Sequence, residues 1–230
     1  MVFAAGLGTR MRPLTDATPK PMVCVAGRTL LDRALDDLVE AGVETAIVNV
    51  HHLADRIEAH LAGRARPRIV VSDERARLLD QGGGIRKVLP LLGEDPFFIC
   101  NTDAFWHGAP QSNLLALARM WDPERMDAAL LLAPTQGSVG VDWDGDFDLD
   151  AEGRILRREG AKPYVYAGVG LIKPQLFAGV DDEVFRLAPF FFAAAEQGRL
   201  FGAPSRGLWL HVGTVAAIAE AERAIAARGG

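Results

Sequence analysis

The chain has 230 residues, of which 49% are hydrophobic and 24% charged, and its formal net charge is −5. This is the composition of a globular protein with a sizeable core, and it excludes intrinsic disorder. Pro and charged residues interrupt every apolar run before membrane-spanning length, and the basic residues are scattered instead of forming a nucleic-acid surface. We therefore expect no membrane and no nucleic acid among its partners.

Two features of the sequence, its cysteines and its first residues, predict the cellular compartment of the protein. Cys24 and Cys100 both lie in apolar runs, which predicts buried free thiols in a reducing environment. No basic leader with a hydrophobic run and a cleavage site precedes the first motif, so we expect a cytoplasmic protein. Only residues 1–5 precede the first glycine, which is short for a buried strand. Either this strand is short or the natural chain starts upstream of Met1.

The first half of the chain alternates strand-like and helix-like segments. Strands are predicted at 1–5, 22–26, 44–50, 68–72 and 97–100. Helices are predicted at 30–39, 53–61 and 85–92, the last one preceded by three glycines at 82–84. Strands and helices of these lengths in alternation predict an α/β protein with a mostly parallel sheet that helices cover on both faces.

The second half is less regular. Helices are predicted at 113–121 and 190–195, and strands at 128–132, 164–172, 200–203 and 207–212. Thr214 is expected to cap a last helix that ends near residue 227. Residues 142–150 alternate acidic and other residues, which predicts an exposed strand with Trp143, Phe147 and Leu149 inward, paired as a hairpin with 154–157. No glycine stands at the sixth position of an EF-hand loop there, so we exclude that motif. We expect one compact domain.

The glycine-rich segment after the first strand is the strongest functional signal. Gly6 and Gly8 allow a sharp turn and a close approach of backbone N–H groups to an anion. Arg10, Arg12 and Lys20 add positive charge. This pattern favours a phosphate-binding loop over a glycine turn with solvated arginines.

Two common nucleotide-binding motifs are excluded for this segment. Met11 stands where the third glycine of a dinucleotide fingerprint is required, and no P-loop string occurs in the chain. Pro19 and Pro21 restrict the backbone on both sides of Lys20. A lysine with a restricted backbone can hold its positive charge at a fixed place in a binding site.

Polar residues also follow other predicted strands. In open α/β sheets, ligands bind beyond the carboxyl ends of the strands, where 6–20, 101–103 and 207–214 are expected to meet. Asp103 can be read as a turn residue or as a carboxylate ligand of Mg²⁺, and beside a cationic loop we favour the metal. Asn49, His51 and His52 are expected to form a polar rim.

The opening segment resembles a known family. Residues 6–15 read G-x-G-x-R-M-x-P-L-T and residues 19–21 read P-K-P. This resembles the opening motif of the sugar-1-phosphate nucleotidyltransferases, also called NDP-sugar pyrophosphorylases. The resemblance implies a three-layer α/β/α, Rossmann-like nucleotidyltransferase fold with a mixed, mostly parallel central sheet and a small β hairpin excursion. It also implies a nucleotide-binding half at 1–110 and a sugar-binding half at 111–230 of a single domain, 1–230.

The resemblance also implies roles for individual residues. Arg10 and Lys20 would be catalytic, with Arg10 on the triphosphate and Lys20 near the α-phosphate. The sugar phosphate would be bound by Lys162, with Glu159 and Gly168 nearby, on segments that resemble the family's E-K-P element and its sugar-side strand. Contacts to the nucleotide would come from Ala5, Gly6, Gly8, Thr9, Gln81, Gly83 and Asn101.

The metal site departs from the family pattern at one position. Asp103 matches an aspartate that binds Mg²⁺ in the family. Residues 209–214 read W-L-H-V-G-T, where the family has W-x-D-x-G-T, so His211 replaces the second metal-binding carboxylate. Three explanations are open. His211 ligates a softer ion such as Mn²⁺, or Mg²⁺ is held by Asp103, waters and phosphates with His211 behind them, or the site is weakened. We favour the second.

The activity that the resemblance implies is nucleotidyl transfer, EC class 2.7.7, from an NTP to a sugar-1-phosphate with release of pyrophosphate. The length and the motifs are most similar to bacterial N-acetylmuramate 1-phosphate uridylyltransferases of peptidoglycan recycling, which favours UTP. The alternatives are a mannose- or heptose-1-phosphate guanylyltransferase, a cytidylyltransferase for an alcohol phosphate, and a non-catalytic nucleotide-binding module. A monomer or a small homo-oligomer is expected.

Overall fold

The structure is a computed structural model that describes residues 1–108, 110–157 and 159–229, without the side chains of 110–112. The strands of this part of the chain are β1 (Val2–Phe3), β2 (Cys24–Val25), β3 (Arg28–Thr29), β4 (Thr45–Val50), β5 (Arg68–Asp73), β6 (Phe97–Asn101), β7 (Ala104–His107), β8 (Ala128–Pro134), β9 (Asp148–Leu149), β10 (Ile155–Leu156), β11 (Tyr164–Ile172), β12 (Leu200–Pro204) and β13 (Leu208–His211). The α-helices are α1 (Leu14–Ala17), α2 (Leu30–Glu40), α3 (Ala54–Leu61), α4 (Asp80–Leu92), α5 (Pro110–Met120), α6 (Ala188–Glu196) and α7 (Val215–Ala226).

A seven-stranded sheet, in the order β12-β8-β11-β6-β1-β4-β5, forms the centre of the described chain. β1 runs parallel to β4 and β6, β4 to β5, and β8 to β12. β11 is antiparallel to both of its neighbours, β6 and β8. The predicted mixed and mostly parallel sheet is thus confirmed. Because β1, β4, β5 and β6 are parallel, their carboxyl ends meet at one edge, where a ligand site is expected.

Helices cover the sheet on both faces. Leu35 of α2 and Leu117 of α5 are fully buried against one face, together with α3. Ile85 of α4 is fully buried against the other face, together with α6. Ile47 and Val48 are neighbours on β4 and are buried on opposite faces of the sheet. This is expected because successive side chains of a strand point to opposite faces. Burial of each large apolar side chain in this way contributes about 1.5–3 kcal/mol to the stability of the fold. The predicted three-layer α/β/α architecture is confirmed.

A smaller apolar cluster lies beside the main sheet and supports the opening loop. β7 pairs antiparallel with β13, and α7 packs on this ribbon through Ala221 and Ile225. Met11 of the loop is fully buried in the same cluster. Thr214 accepts a hydrogen bond from the backbone N–H of Ala217 at 3.3 Å, so the predicted cap of the last helix is confirmed. β7 was not expected from the sequence.

The three glycines at 82–84 were expected to precede a helix, and this was wrong because they lie inside it. α4 begins at Asp80. A Cβ at Gly82 would lie 2.4 Å from the ring of Phe185, and one at Gly83 would lie 2.1 Å from the carbonyl oxygen of Glu183. The N–H groups of both glycines donate to the carbonyl of Phe185, at 3.0 and 3.3 Å. The glycines therefore let a neighbouring segment reach the first turn of the helix, at a cost in helix propensity.

Two further expectations are corrected in part. Residues 142–150 form a strand only at β9, which pairs with β10, so the hairpin is confirmed and the longer strand is wrong. Asp146 bends the chain because its carboxylate accepts hydrogen bonds from the indole N–H of Trp143 at 3.1 Å and the backbone N–H of Tyr166 at 2.8 Å.

Cys100 is buried as expected, but Cys24 is exposed, because the alternation of β2 turns Val25 inward instead.

Within residues 1–108, 110–157 and 159–229, no helix is both long enough and apolar enough to cross a membrane.

Candidate active site

The opening loop leaves β1 and turns at Gly8, which has a left-handed backbone with φ +63°. A Cβ there would lie 2.8 Å from Cγ2 of Thr15, so glycine is required for both conformation and space. The hydroxyl of Thr15 donates to the carbonyl of Gly8 at 2.8 Å. With Met11 buried on one side and Thr15 on the other, the loop is held while Gly6, Thr9 and Arg10 stay exposed.

A buried polar group fixes the point at which the loop leaves the sheet. Asn49, at the carboxyl end of β4, accepts a hydrogen bond from the backbone N–H of Ala4 at 2.8 Å and donates to Glu74 at 2.8 Å. Glu74 also accepts from the backbone N–H of Leu79 at 3.2 Å. Asn49 and Glu74 are 3% and 1% exposed. The expectation that Asn49 belongs to a polar rim was therefore wrong, since it ties three chain segments together beneath the site.

Lys20 and Asp103 connect the opening loop to the end of β6. The ammonium of Lys20 lies 2.7 Å from Oδ2 of Asp103, with side chains that are 14% and 28% exposed. Nε2 of His211 lies 3.8 Å from the same oxygen, and Nδ1 of His211 lies 3.3 Å from the carbonyl oxygen of Gly140. The His211 ring stacks on Trp209, so its position is set by packing as well as by polar contacts.

The charges around Asp103 hold its carboxyl group in the ionised form. Burial acts to raise its pKa, but the contact with His211 and the ammonium of Lys20 outweigh burial and hold the pKa well below its usual range. Sequence-distant residues thus form a compact group of one carboxylate, one ammonium and one imidazole. An ionised carboxylate in this place can bind a cation.

The side chains that could ligate a metal decide which ion would fit the site. Within the described residues, no group of three His, Cys, Asp or Glu side chains could enclose a metal ion. A metal bound by protein side chains alone therefore does not fit. Mg²⁺ held by one carboxylate and by substrate phosphates does fit, because this ion usually binds through one or two carboxylates and keeps waters or phosphates as its other ligands.

The first of two adjoining cavities has a volume of about 470 Å³ and contains most of the predicted nucleotide-binding residues. The cations Arg10 and Lys20 lie on its wall with Asp103. Val184, from the segment that covers α4, closes another side. The other predicted residues in its lining are Ala5, Gly6, Gly8, Thr9, Gln81 and Asn101.

The second cavity has a volume of about 670 Å³ and is more aromatic. Lys162 and Glu159, the predicted sugar-phosphate residues, lie in its lining. Nζ of Lys162 donates to the carbonyl of Gly160 at 2.9 Å. Gln81 lines both cavities, and its side-chain N–H group donates to Asn101 at 2.9 Å. The two cavities therefore meet at one glutamine.

Four of the residues that the sequence placed in a phosphate, nucleotide, sugar or metal site lie outside both linings. Gly83 is buried beneath Glu183, and Gly168 packs against Asn101, whose Cβ would lie 3.2 Å from a Cβ at that glycine. His211 lies behind Asp103. Arg12 pairs with Asp16 at 3.3 Å and is absent from the lining that Arg10 and Lys20 share.

Sequence reasoning did not assign a site role to Glu74, Gly213 or Arg157. A Cβ at Gly213 would lie 2.7 Å from the His211 ring and 3.3 Å from Nη1 of Arg10, so this glycine lets both side chains approach. Its place in the W-x-D-x-G-T motif was a usable signal. For Glu74 and Arg157 the sequence carries no such signal.

Comparisons with known proteins identify the family of this chain. Residues 1–141 match the MobA-like NTP transferase domain, so the chain is a nucleotidyltransferase by class. It is 48% identical over 98% of its length to N-acetylmuramate alpha-1-phosphate uridylyltransferase of Caulobacter vibrioides, covering 96% of that protein. It is 35% identical to the protein of the same name from Neisseria meningitidis, over 96% of each chain.

A solved structure shows the same fold. A putative glucose-1-phosphate thymidylyltransferase from Bacillus anthracis superposes with a TM-score of 0.79 over 97% of this chain and 93% of its own, at 13% identity. The chain belongs to the sugar-1-phosphate nucleotidyltransferase family, as the opening motif predicts.

Removal of the Asn49 amide is expected to destabilise the protein. Asn49→Ala leaves the N–H of Ala4 and the carboxylate of Glu74 buried without this partner, and the free energy of unfolding should fall by about 3 kcal/mol. Gln175→Ala is the matched control, because Gln175 is exposed and should change stability by less than about 0.5 kcal/mol. Urea unfolding of both variants measures the difference. Equal stability of the two variants would contradict the structural role of Asn49.

Proposed function

We propose that the protein transfers a uridylyl group from UTP to N-acetylmuramate 1-phosphate, and that it serves peptidoglycan recycling in the cytoplasm. The observation that carries the proposal is the pair of cavities that meet at Gln81, one with Arg10 and Lys20 and the other with Lys162. The choice of UTP and of the sugar is supported by the names of the relatives that match almost the whole chain.

The reaction is an in-line displacement at phosphorus. An oxygen of the sugar phosphate attacks the α-phosphorus of UTP, a new P–O bond forms, and the bond to the β-phosphate breaks, which releases pyrophosphate. A phosphate monoester has its second pKa near 6 and is largely dianionic at neutral pH. No general base is therefore required, and catalysis consists of positioning and charge stabilisation.

The opening loop would bind the triphosphate. Its exposed backbone at Gly6 can approach the nucleotide closely, since a Cβ there would meet nothing within 4 Å and the position lines the cavity. Arg10 would stabilise the charge that develops on the leaving pyrophosphate. Lys20 would neutralise charge at the α-phosphate, and its present contact with Asp103 keeps its ammonium at that end of the cavity.

The second cavity would bind the sugar phosphate. Lys162 would hold the attacking phosphate, and Glu159 can accept hydrogen bonds from sugar hydroxyl groups. Asp103 would hold Mg²⁺ together with the nucleotide phosphates, and when bound the ion supplies positive charge to the reacting groups. In this arrangement His211 orients the carboxylate of Asp103 without binding the metal itself.

Arg10 is the residue whose loss tests the assignment most sharply. Arg10→Ala is expected to lower kcat for pyrophosphate release from UTP and N-acetylmuramate 1-phosphate by about 10²-fold or more, because a transition-state charge contact is removed. Arg12→Ala is the matched control, since Arg12 pairs with Asp16 outside the cavity, and should keep kcat within about two-fold.

The same assay separates the proposed function from its alternatives. Near-normal turnover by Arg10→Ala would contradict the assignment. A preference of the wild-type protein for GTP with mannose 1-phosphate, or for CTP, would replace the substrate. Nucleotide binding without pyrophosphate release under any combination of substrate and metal would indicate a non-catalytic module.

The requirement for a divalent cation is tested by chelation. Excess EDTA is expected to stop pyrophosphate release, and Mg²⁺ added above the EDTA concentration should restore it. Circular dichroism should not change on chelation, because no group of three ligating side chains within the described residues ties the fold to a metal. Full turnover in EDTA would contradict the role proposed for Asp103.

A further inference from the structure

The lining of the second cavity contains a second cation besides Lys162, together with the carboxylates of Asp146 and Glu159. Besides Lys162, its lining includes Arg157, which follows β10 at the mouth of the hairpin. A phosphate at Lys162 does not account for a second cation on the wall. Asp146 lies in the same lining, but its two oxygens accept from the N–H groups of Trp143 and Tyr166, so it is already engaged by the protein.

The guanidinium of Arg157 is held in place by two contacts. It lies 4.1 Å from the centre of the Phe192 ring, and Nη1 lies 3.2 Å from Oε1 of Glu196. Phe192 belongs to the same cavity wall. A guanidinium has five N–H donors in a planar fork, and its side chain is 48% exposed. Donors therefore remain for a ligand group, and the stacked ring limits the orientations in which they can be presented.

The remaining wall suits a substituted sugar. Phe147, Phe191 and Phe192 give it an apolar surface, and Tyr166 lies among them. The Tyr166 hydroxyl is buried and has no hydrogen-bond partner within the described residues. A buried polar group without a partner is rare, and here it adjoins the cavity. The volume of about 670 Å³ leaves room for substituents beyond the pyranose ring.

We propose that Arg157 is a specificity-determining residue that binds a carboxylate on the sugar, which in N-acetylmuramate 1-phosphate is the carboxylate of its lactyl ether. This inference rests on the proposed function and adds the group that recognises the acidic sugar. Arginine and carboxylate form paired, charge-assisted hydrogen bonds whose geometry a lysine does not reproduce. N-acetylglucosamine 1-phosphate is the same sugar phosphate without the lactyl ether, and it offers Arg157 no carboxylate.

The test compares the two sugar phosphates with the wild-type protein and with Arg157→Ala. For N-acetylmuramate 1-phosphate, KM should rise by about 10- to 100-fold in the variant, as for a lost hydrogen bond to a charged group, while kcat changes little. The KM of UTP should not change, and neither should any measurable turnover of N-acetylglucosamine 1-phosphate. Arg157→Lys should restore only part of the loss.

Two further variants control for packing. Arg157→Gln keeps much of the side chain over Phe192 and should lose discrimination as Arg157→Ala does, which keeps the test valid if the alanine variant folds poorly. Arg154→Ala changes an arginine of the same hairpin that pairs with Asp150 and lies over Phe201 instead, and should behave as wild type.

The outcomes separate this inference from the function on which it rests. An unchanged KM for N-acetylmuramate 1-phosphate in Arg157→Ala or Arg157→Gln would overturn the inference while the proposed function stands. A rise of the same size for both sugar phosphates would also overturn it. Wild-type protein that releases pyrophosphate with neither sugar phosphate would overturn the proposed function and this inference with it.

Discussion

The ion pair between Lys20 and Asp103 is the contact on which the site depends. It joins the opening loop to the end of β6 across 83 residues of sequence, at the edge where the carboxyl ends of parallel strands meet. Burial alone would favour a neutral carboxyl group at Asp103, and the contacts with His211 and with the ammonium of Lys20 reverse this. The sheet brings these segments together, and Lys20 supplies positive charge beside the ionised carboxylate of Asp103.

Positive charge lies in both cavities. Arg10 and Lys20 lie in the first cavity and Lys162 in the second, with Gln81 between them. Two polyanionic substrates would repel each other in water, and cations on both sides offset that repulsion where the phosphates must meet. Mg²⁺ prefers oxygen ligands to imidazole nitrogen, which is why we propose that Asp103 and the phosphates, and not His211, would hold the metal.

Periodicity in the sequence was sufficient to predict the layers, the main strands and the capped last helix, because burial imposes the same spacing wherever a strand or helix packs. The glycines at 82–84 were misread because helix propensity is local, whereas the close approach of Phe185 is a tertiary contact. The motif residues Arg10, Lys20 and Asp103 could be predicted as a group. Asn49 could not, because only the fold reveals that its amide faces a buried carboxylate.

The central claim is that the nucleotide occupies the first cavity and the sugar the second, with the phosphates between them. A crystal structure with UDP-N-acetylmuramate tests it most directly. The claim predicts the uracil and ribose beside Gly6 and Gln81, the diphosphate between Lys20 and Lys162, and the lactyl carboxylate within hydrogen-bond distance of Arg157. A sugar found in the first cavity, or a diphosphate that contacts neither lysine, would contradict it.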